Sequence, residues 1–153
     1  EQPWDTPFTV AGEQVTLNQI EHERMRLRDA PAAERVAFVD PRLHFIVNCA
    51  SIGCPVLPEK PLRAETLDAQ MDEGVRAFMA DPTKFRVEGS TIHLSQLMDW
   101  YGEDFQLGNE LGKKQALGAF FARYATNPQD ATVLASGDFE LQWMEYDWGL
   151  NER

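Results

Sequence analysis

Leu43-His44-Phe45-Ile46-Val47-Asn48-Cys49, bounded by Asp40-Pro41 and by Ser51-Ile52-Gly53, is the stretch on which the fold reading turns. A mostly apolar run of this length between turn-forming residues is expected as an interior strand covered on both faces. Alternation along it would put Phe45, Val47 and Cys49 on one face and His44, Ile46 and Asn48 on the other. Cys49 would then be a small hydrophobe in an apolar row, and His44 a satisfied buried histidine. Downstream, Pro55, Pro58 and Pro61 keep 53–63 extended. Leu67, Met71, Val75 and Phe78 recur at helical spacing, and Pro82 closes that helix. Upstream, Phe8–Val10 and Gln14–Thr16 flank Ala11-Gly12-Glu13 as a short hairpin. Thr16 and Gln19 have the capping-box spacing, which predicts a helix over about 17–28 with Leu17, Ile20 and Leu27 along one side. A second hairpin pairs Phe85–Val87 with Thr91–Leu94, and Ser95 caps a short helix through Trp100. Leu117, Phe120, Phe121 and Tyr124 mark a further helix, ended by Asn127-Pro128. Phe139, Leu141 and Trp143 alternate as a last strand. Hairpins, interspersed helices and one buried strand predict an α+β fold.

The 153 residues suit one domain, 1–153, with no linker, repeat or low-complexity tract to divide it. At 43% hydrophobic and 25% charged, the composition is that of a packed globular chain rather than a disordered one. No apolar run approaches the roughly 18 residues that a membrane span needs. Lys and Arg number 14 against 25 Asp and Glu, for a net charge of −11. Residues 64–153 carry 16 of those acids and only 7 of the bases, so most of the negative charge lies there. Such a surface repels phosphate backbones, which argues against nucleic acid as a partner. Two cysteines are too few for a disulfide-built scaffold.

Cysteines and histidines are the side chains suited to nucleophilic or soft-metal chemistry. Cys54 follows the expected strand in Ser51-Ile52-Gly53-Cys54-Pro55, a loop able to hold a thiol at a surface cleft. A nucleophile there would need a depressed pKa from a neighbouring group. His22, in Glu21-His22-Glu23, lies opposite the Leu17/Ile20/Leu27 stripe, either on a solvated charged face or in a site. In the second case flanking carboxylates would raise the imidazole's basicity and a nearby arginine would hold a carboxylate. Glu103-Asp104 reads as a surface pair at a helix end, and His93 as a surface residue. Zinc held by Cys49, Cys54 and the histidines is the weakest of the site readings, since only one Cys pair is present and no paired-His motif. No metal and no cofactor is expected. A Cys49–Cys54 disulfide is open on spacing alone.

Leu17-Asn18-Gln19-Ile20-Glu21-His22-Glu23, Asp40-Pro41-Arg42-Leu43-His44-Phe45 and Cys49-Ala50-Ser51-Ile52-Gly53-Cys54-Pro55 together resemble signatures of domain-of-unknown-function family 547. Leu67-Asp68-Ala69-Gln70-Met71, the 97–105 stretch and Tyr146-Asp147-Trp148-Gly149-Leu150-Asn151 continue the likeness in order. The resemblance implies a domain of bacteria, plants and animals, often secreted or envelope-associated in bacteria, and hence an extracytoplasmic setting. It also implies a papain/transglutaminase-like fold class. It groups Glu21, His22, Arg26, Arg42, His44 and Cys54 into one site, because these match the family's polar motif positions. The family's upstream portion, with a helix reading like F-W-I-N-L-Y-N-A, has no counterpart here. The chain therefore resembles a C-terminal portion of a larger family domain.

The function expected from this combination is that of a thiol-dependent hydrolase or transferase acting on amide or thioester-like bonds. Cys54 would attack a carbonyl, His22 or His44 would move the proton, Glu21 would orient the imidazole, and Arg26 and Arg42 would bind substrate. The alternative is a non-catalytic module that holds a peptide or small ligand in the same cleft. If a central helix is missing, apolar residues of 43–49 and 67–78 would lie uncovered, to be met by the upstream portion or by another copy of the chain.

Overall fold

A computed structural model describes residues 3–152. The chain divides into two compact units, residues 1–40 and 41–153.

In the first unit, β1 (Phe8–Val10) and β2 (Glu13–Val15) form an antiparallel hairpin with Phe8 opposite Val15. Ala11 and Gly12 both have positive φ, 51° and 88°, as a tight two-residue hairpin turn requires. Both arms of the predicted capping box are made: Gln19 N–H donates to Thr16 Oγ1 at 3.1 Å, and Thr16 N–H to Gln19 Oε1 at 3.0 Å. The helix that follows differs from expectation. Gln19–Met25 is a π-helix, with Arg26 N–H reaching back five residues to the Glu21 carbonyl. Its wider turn undoes the 100° spacing that aligned the expected apolar stripe. Leu17 accordingly stands exposed while Arg26 is buried. A helix that sequence periodicity did not reveal, α1 (Ala32–Phe38), begins after Pro31.

The second unit holds a three-stranded sheet of β3 (Phe85–Glu88), β4 (Thr91–Ser95) and β5 (Glu140–Met144). β3 and β4 pair antiparallel around Gly89, and β5 runs parallel to β4 with Ile92 opposite Leu141. Four helices accompany it: α2 (Leu67–Ala80), α3 (Leu97–Trp100), α4 (Lys113–Ala122) and α5 (Pro128–Ser136). This is the expected α+β class, with two corrections. Asn127-Pro128 does not merely end a helix; it starts α5, with Asn127 Oδ1 accepting from Gln129 N–H at 2.9 Å and proline at the first turn. Residues 43–49 form no strand. Pro41–Phe45 is a 3-10 helix and the chain beyond it is irregular. A short apolar run satisfies either geometry, and proline at its start favours the helical turn.

Phe45 is fully buried at the centre of the core, edge-on to Phe78 at 5.0 Å and stacked on Phe120 at 5.7 Å. α2 lies so close to this turn that a Cβ on Gly74 would meet the Phe45 carbonyl at 2.8 Å. Val75, Ile92, Leu94, Met98, Leu117, Phe121 and Leu134 complete the same core. Leu43, Phe45, Ile46, Met71, Val75 and Phe78 are all buried, and of the large apolar side chains there only Leu67, at the first position of α2, stands exposed, so the uncovered face expected on 43–49 and 67–78 shrinks to that end residue.

Candidate functional site

The loop after the 3-10 turn is closed at its base by one side chain. Asn48 Oδ1 accepts Ala50 N–H at 2.6 Å while its Nδ2 donates to the Pro55 carbonyl at 2.7 Å. Between these ends Ala50 takes a left-handed φ of 63°, and Cys54 N–H bonds the Ser51 carbonyl at 3.1 Å. The C-terminal segment holds the loop from outside. Ile52 N–H donates to Gly149 O, Gly53 N–H to Asp147 O and Asn151 N–H to Ala50 O, each at 2.8 Å. Gly53 is required for this approach, because a Cβ there would fall 2.8 Å from the Tyr146 ring.

Cys49 and Cys54 are thereby brought together, with their expected environments exchanged. Cys49 is exposed and Cys54 is buried. Without a strand through 43–49 the alternation that assigned Cys49 to the core does not exist. The Cys54 sulfur accepts the Cys49 backbone N–H at 3.0 Å and lies 3.1 Å from the Tyr146 hydroxyl and 3.4 Å from that of Ser51. The Cys49 sulfur is 3.3 Å from the same Tyr146 hydroxyl and 3.4 Å from the same Ser51 oxygen. These two hydroxyls are themselves 2.6 Å apart. The Cys49 thiol, the Ser51 and Tyr146 hydroxyls and the Cys49 N–H all favour a negative sulfur and outweigh burial, so the Cys54 pKa falls to about 4. The hydrogen bond to Cys54, then burial, pushes the Cys49 thiol the other way. Burial first, and the two sulfurs next, hold the proton on Tyr146.

His44 is buried, with Nε2 2.8 Å from Asp104 Oδ2 and its ring stacked on Tyr101 at 4.4 Å. It is not among the hydrogen-bond partners of Cys54. Asp104, read from sequence as a surface residue, is 1% exposed. The Arg42 guanidinium spans two α2 carboxylates, Asp68 at 2.7 Å and Asp72 at 2.9 Å. Arg42 first, and the Tyr124 hydroxyl at 2.8 Å second, hold Asp72 below the usual carboxylate range. Arg42 thus ties the 3-10 turn to α2. His93, half-buried rather than on the surface, lies 3.2 Å from Glu88.

In the first unit, Glu21, His22 and Arg26 come together on the π-helix. Arg26 Nη1 lies 3.1 Å from His22 Nδ1, and Glu21 Oε1 is 3.8 Å from the same nitrogen. Because a guanidinium only donates, this contact places the neutral ring's proton on Nε2. Among the described residues no three His, Cys, Asp or Glu side chains gather as a metal site, and no helix is long and apolar enough to cross a membrane.

Sequence reasoning singled out Cys54 but missed Ser51, Tyr146 and Asp104. Ser51 stood within the quoted loop motif, and its spacing to Cys54 was the available signal. Tyr146 and Asp104 reach their partners across 92 and 60 residues, a relation no local pattern encodes. No curated protein and no solved structure matches the chain. Residues 5–79 match the family described as "Protein of unknown function, DUF547", a stretch that includes both cysteines and Ser51 and ends inside α2. The match covers 75 of the 153 residues, so over that stretch the chain is similar to the DUF547 family.

Proposed function

We propose that Cys54 is the nucleophile of a thiol-dependent hydrolase or transferase acting on amide or thioester-like bonds. The observation that carries this reading is the set of donors on one sulfur: the Cys49 N–H and the Tyr146 and Ser51 hydroxyls, which favour thiolate at neutral pH. In the proposed step the thiolate forms a bond to the carbonyl carbon and the amine or thiol leaves, taking a proton. Water then cleaves the acyl-cysteine, or a second nucleophile accepts the acyl group. The nearest carriers of that proton are the Cys49 thiol and the two hydroxyls. His44, oriented by Asp104, is the imidazole this reading assigns to the second unit as the proton's eventual acceptor. His22 with Glu21 is the corresponding pair of the first unit, where Arg26 lies beside His22. This reading takes the extracytoplasmic setting and the papain/transglutaminase-like ancestry that the resemblance implies.

One observation favours a second reading, a binding module without turnover. Cys54 is only 5% exposed, while Trp100 and Trp148 stack at 5.4 Å beside Tyr146 and stand 41% and 68% exposed. Such a surface suits an apolar or ring-bearing part of a peptide or small ligand.

Thiolate ultraviolet absorbance, followed against pH on reduced protein, tests the nucleophile without requiring access to the sulfur. A step with its midpoint near 4, lost in Cys54→Ser, is expected. Hydrolysis of an aryl thioester should fall at least about a hundredfold in the same variant. A thiolate that titrates as an ordinary cysteine refutes the reading. Absent turnover with ligand retention in Cys54→Ser would establish the binding module instead.

A further inference from the structure

Four residues lie between the two cysteines, yet the loop makes their side chains neighbours. The Asn48 clamp joins the chain just before Cys49 to Pro55, just after Cys54. The Cys49 N–H points onto the Cys54 sulfur at 3.0 Å. Both sulfurs lie within 3.4 Å of one hydroxyl oxygen, that of Ser51, and within 3.3 Å of another, that of Tyr146. No charged group intervenes among these contacts. One sulfur of the pair is exposed and the other is buried, an arrangement suited to successive roles. The exposed sulfur is the more open to an external reagent, and the buried one stands beside it, placed to resolve onto it.

We propose that Cys49 and Cys54 are a dithiol pair that exchanges with an external disulfide to form a reversible intramolecular bridge. The oxidant is by class a disulfide, R–S–S–R′, such as oxidised glutathione. Cys49, passing its proton to the hydrogen-bonded Cys54 sulfur, attacks one sulfur of this reagent. A Cys49–S–S–R bond forms, the external S–S bond breaks, and R′S⁻ departs. Cys54 then attacks the Cys49 sulfur, its proton going to the departed thiolate, and RS⁻ leaves. Two protein sulfurs are oxidised by two electrons in all, and one external disulfide is reduced to two thiols. Attack by a reduced thiol on the bridge runs the sequence backwards. The bridge requires only the closeness of the two sulfurs, so it does not rest on turnover at Cys54. If Cys54 does act as a nucleophile, oxidation withdraws it and the bridge is an off state for that activity.

The experiment equilibrates the folded, full-length chain in glutathione buffers of rising oxidised-to-reduced ratio. Samples are acid-quenched, alkylated with a maleimide and weighed intact. Both thiols are expected to become unavailable together, in a single monomeric species lighter by two hydrogens and restored by dithiothreitol. Cys54→Ser should stop at one glutathione adduct on Cys49, because the resolving sulfur is gone. The proposal is overturned if the wild-type chain stops at that adduct, forms a bridge between two chains, or keeps both thiols alkylatable at every ratio. The wild-type mass alone decides these outcomes, so a Cys54→Ser chain that does not fold leaves the test intact. The thiolate titration decides the nucleophile separately, so either reading can fail without the other.

Discussion

A sulfur anion is stabilised by the donors that point at it, and around Cys54 the two nearest are the Cys49 N–H at 3.0 Å and the Tyr146 hydroxyl at 3.1 Å. Tyr146→Phe removes one of these while keeping the ring against Gly53. Its thiolate midpoint should rise by about one pH unit, the worth of one hydrogen bond to a charged group. Ser51→Ala, losing a partner at 3.4 Å, should move it less. Thiolate absorbance against pH reads both. The lowered pKa also carries a dependence of stability on pH. An acid whose pKa falls from 9.0 in the unfolded chain to about 4 in the fold contributes fully above 9 and progressively less as pH drops towards 4. Cys49, shifted upwards, gives a contribution that is constant below 9 and lost only above it. Under reducing conditions the wild-type advantage over Cys54→Ser, measured by urea unfolding, should therefore grow from pH 4 to pH 9. Cys54 was legible as a candidate because Gly53 and Pro55 frame it, but its exposure was not, since that depends on a strand that does not form.

Elements with a local signal were readable. The Thr16/Gln19 box, the two hairpins and the Met71/Val75/Phe78 face of α2 each depend on residues a few positions apart, and each is present. Failures arose where one pattern serves two geometries. The run 43–49 has the apolar density of a buried strand, and it is equally the buried side of a 3-10 turn. The 17–28 stripe assumed α-helical spacing, which the π-helix does not keep. Asn127-Pro128 is a terminator after one helix and a cap before the next, and only the downstream packing of Leu134 distinguishes the two roles. Asn127→Ala, which removes the acceptor of the Gln129 N–H, should lower stability by about 1 kcal/mol, read as a shift in the urea midpoint without a change of slope. An Asn127→Asp variant, which keeps an acceptor oxygen, should avoid most of that loss.

At the scale of the molecule, the aromatic core around Phe45 is drawn entirely from the second unit, between Phe45 and Tyr146. Residues 41–153 expressed alone should consequently unfold in one cooperative step by circular dichroism. Phe45→Ala in that fragment should cost about 3–5 kcal/mol, because it empties a site bordered by several rings. The arrangement of that unit also bears on how the protein is made. The segment Tyr146–Asn151, which holds the 50–53 loop and supplies the phenol beside both sulfurs, leaves the ribosome long after the loop does. Ser51 and Tyr146 are 95 residues apart, an interval of roughly 5–20 s at about 5–20 residues per second. Throughout that interval Cys49 and Cys54 belong to a nascent chain as ordinary thiols, with an ordinary thiol's weak reactivity near neutral pH. The acid-shifted sulfur comes into being with the arrival of the C-terminal segment, so translation itself times the onset of its chemistry.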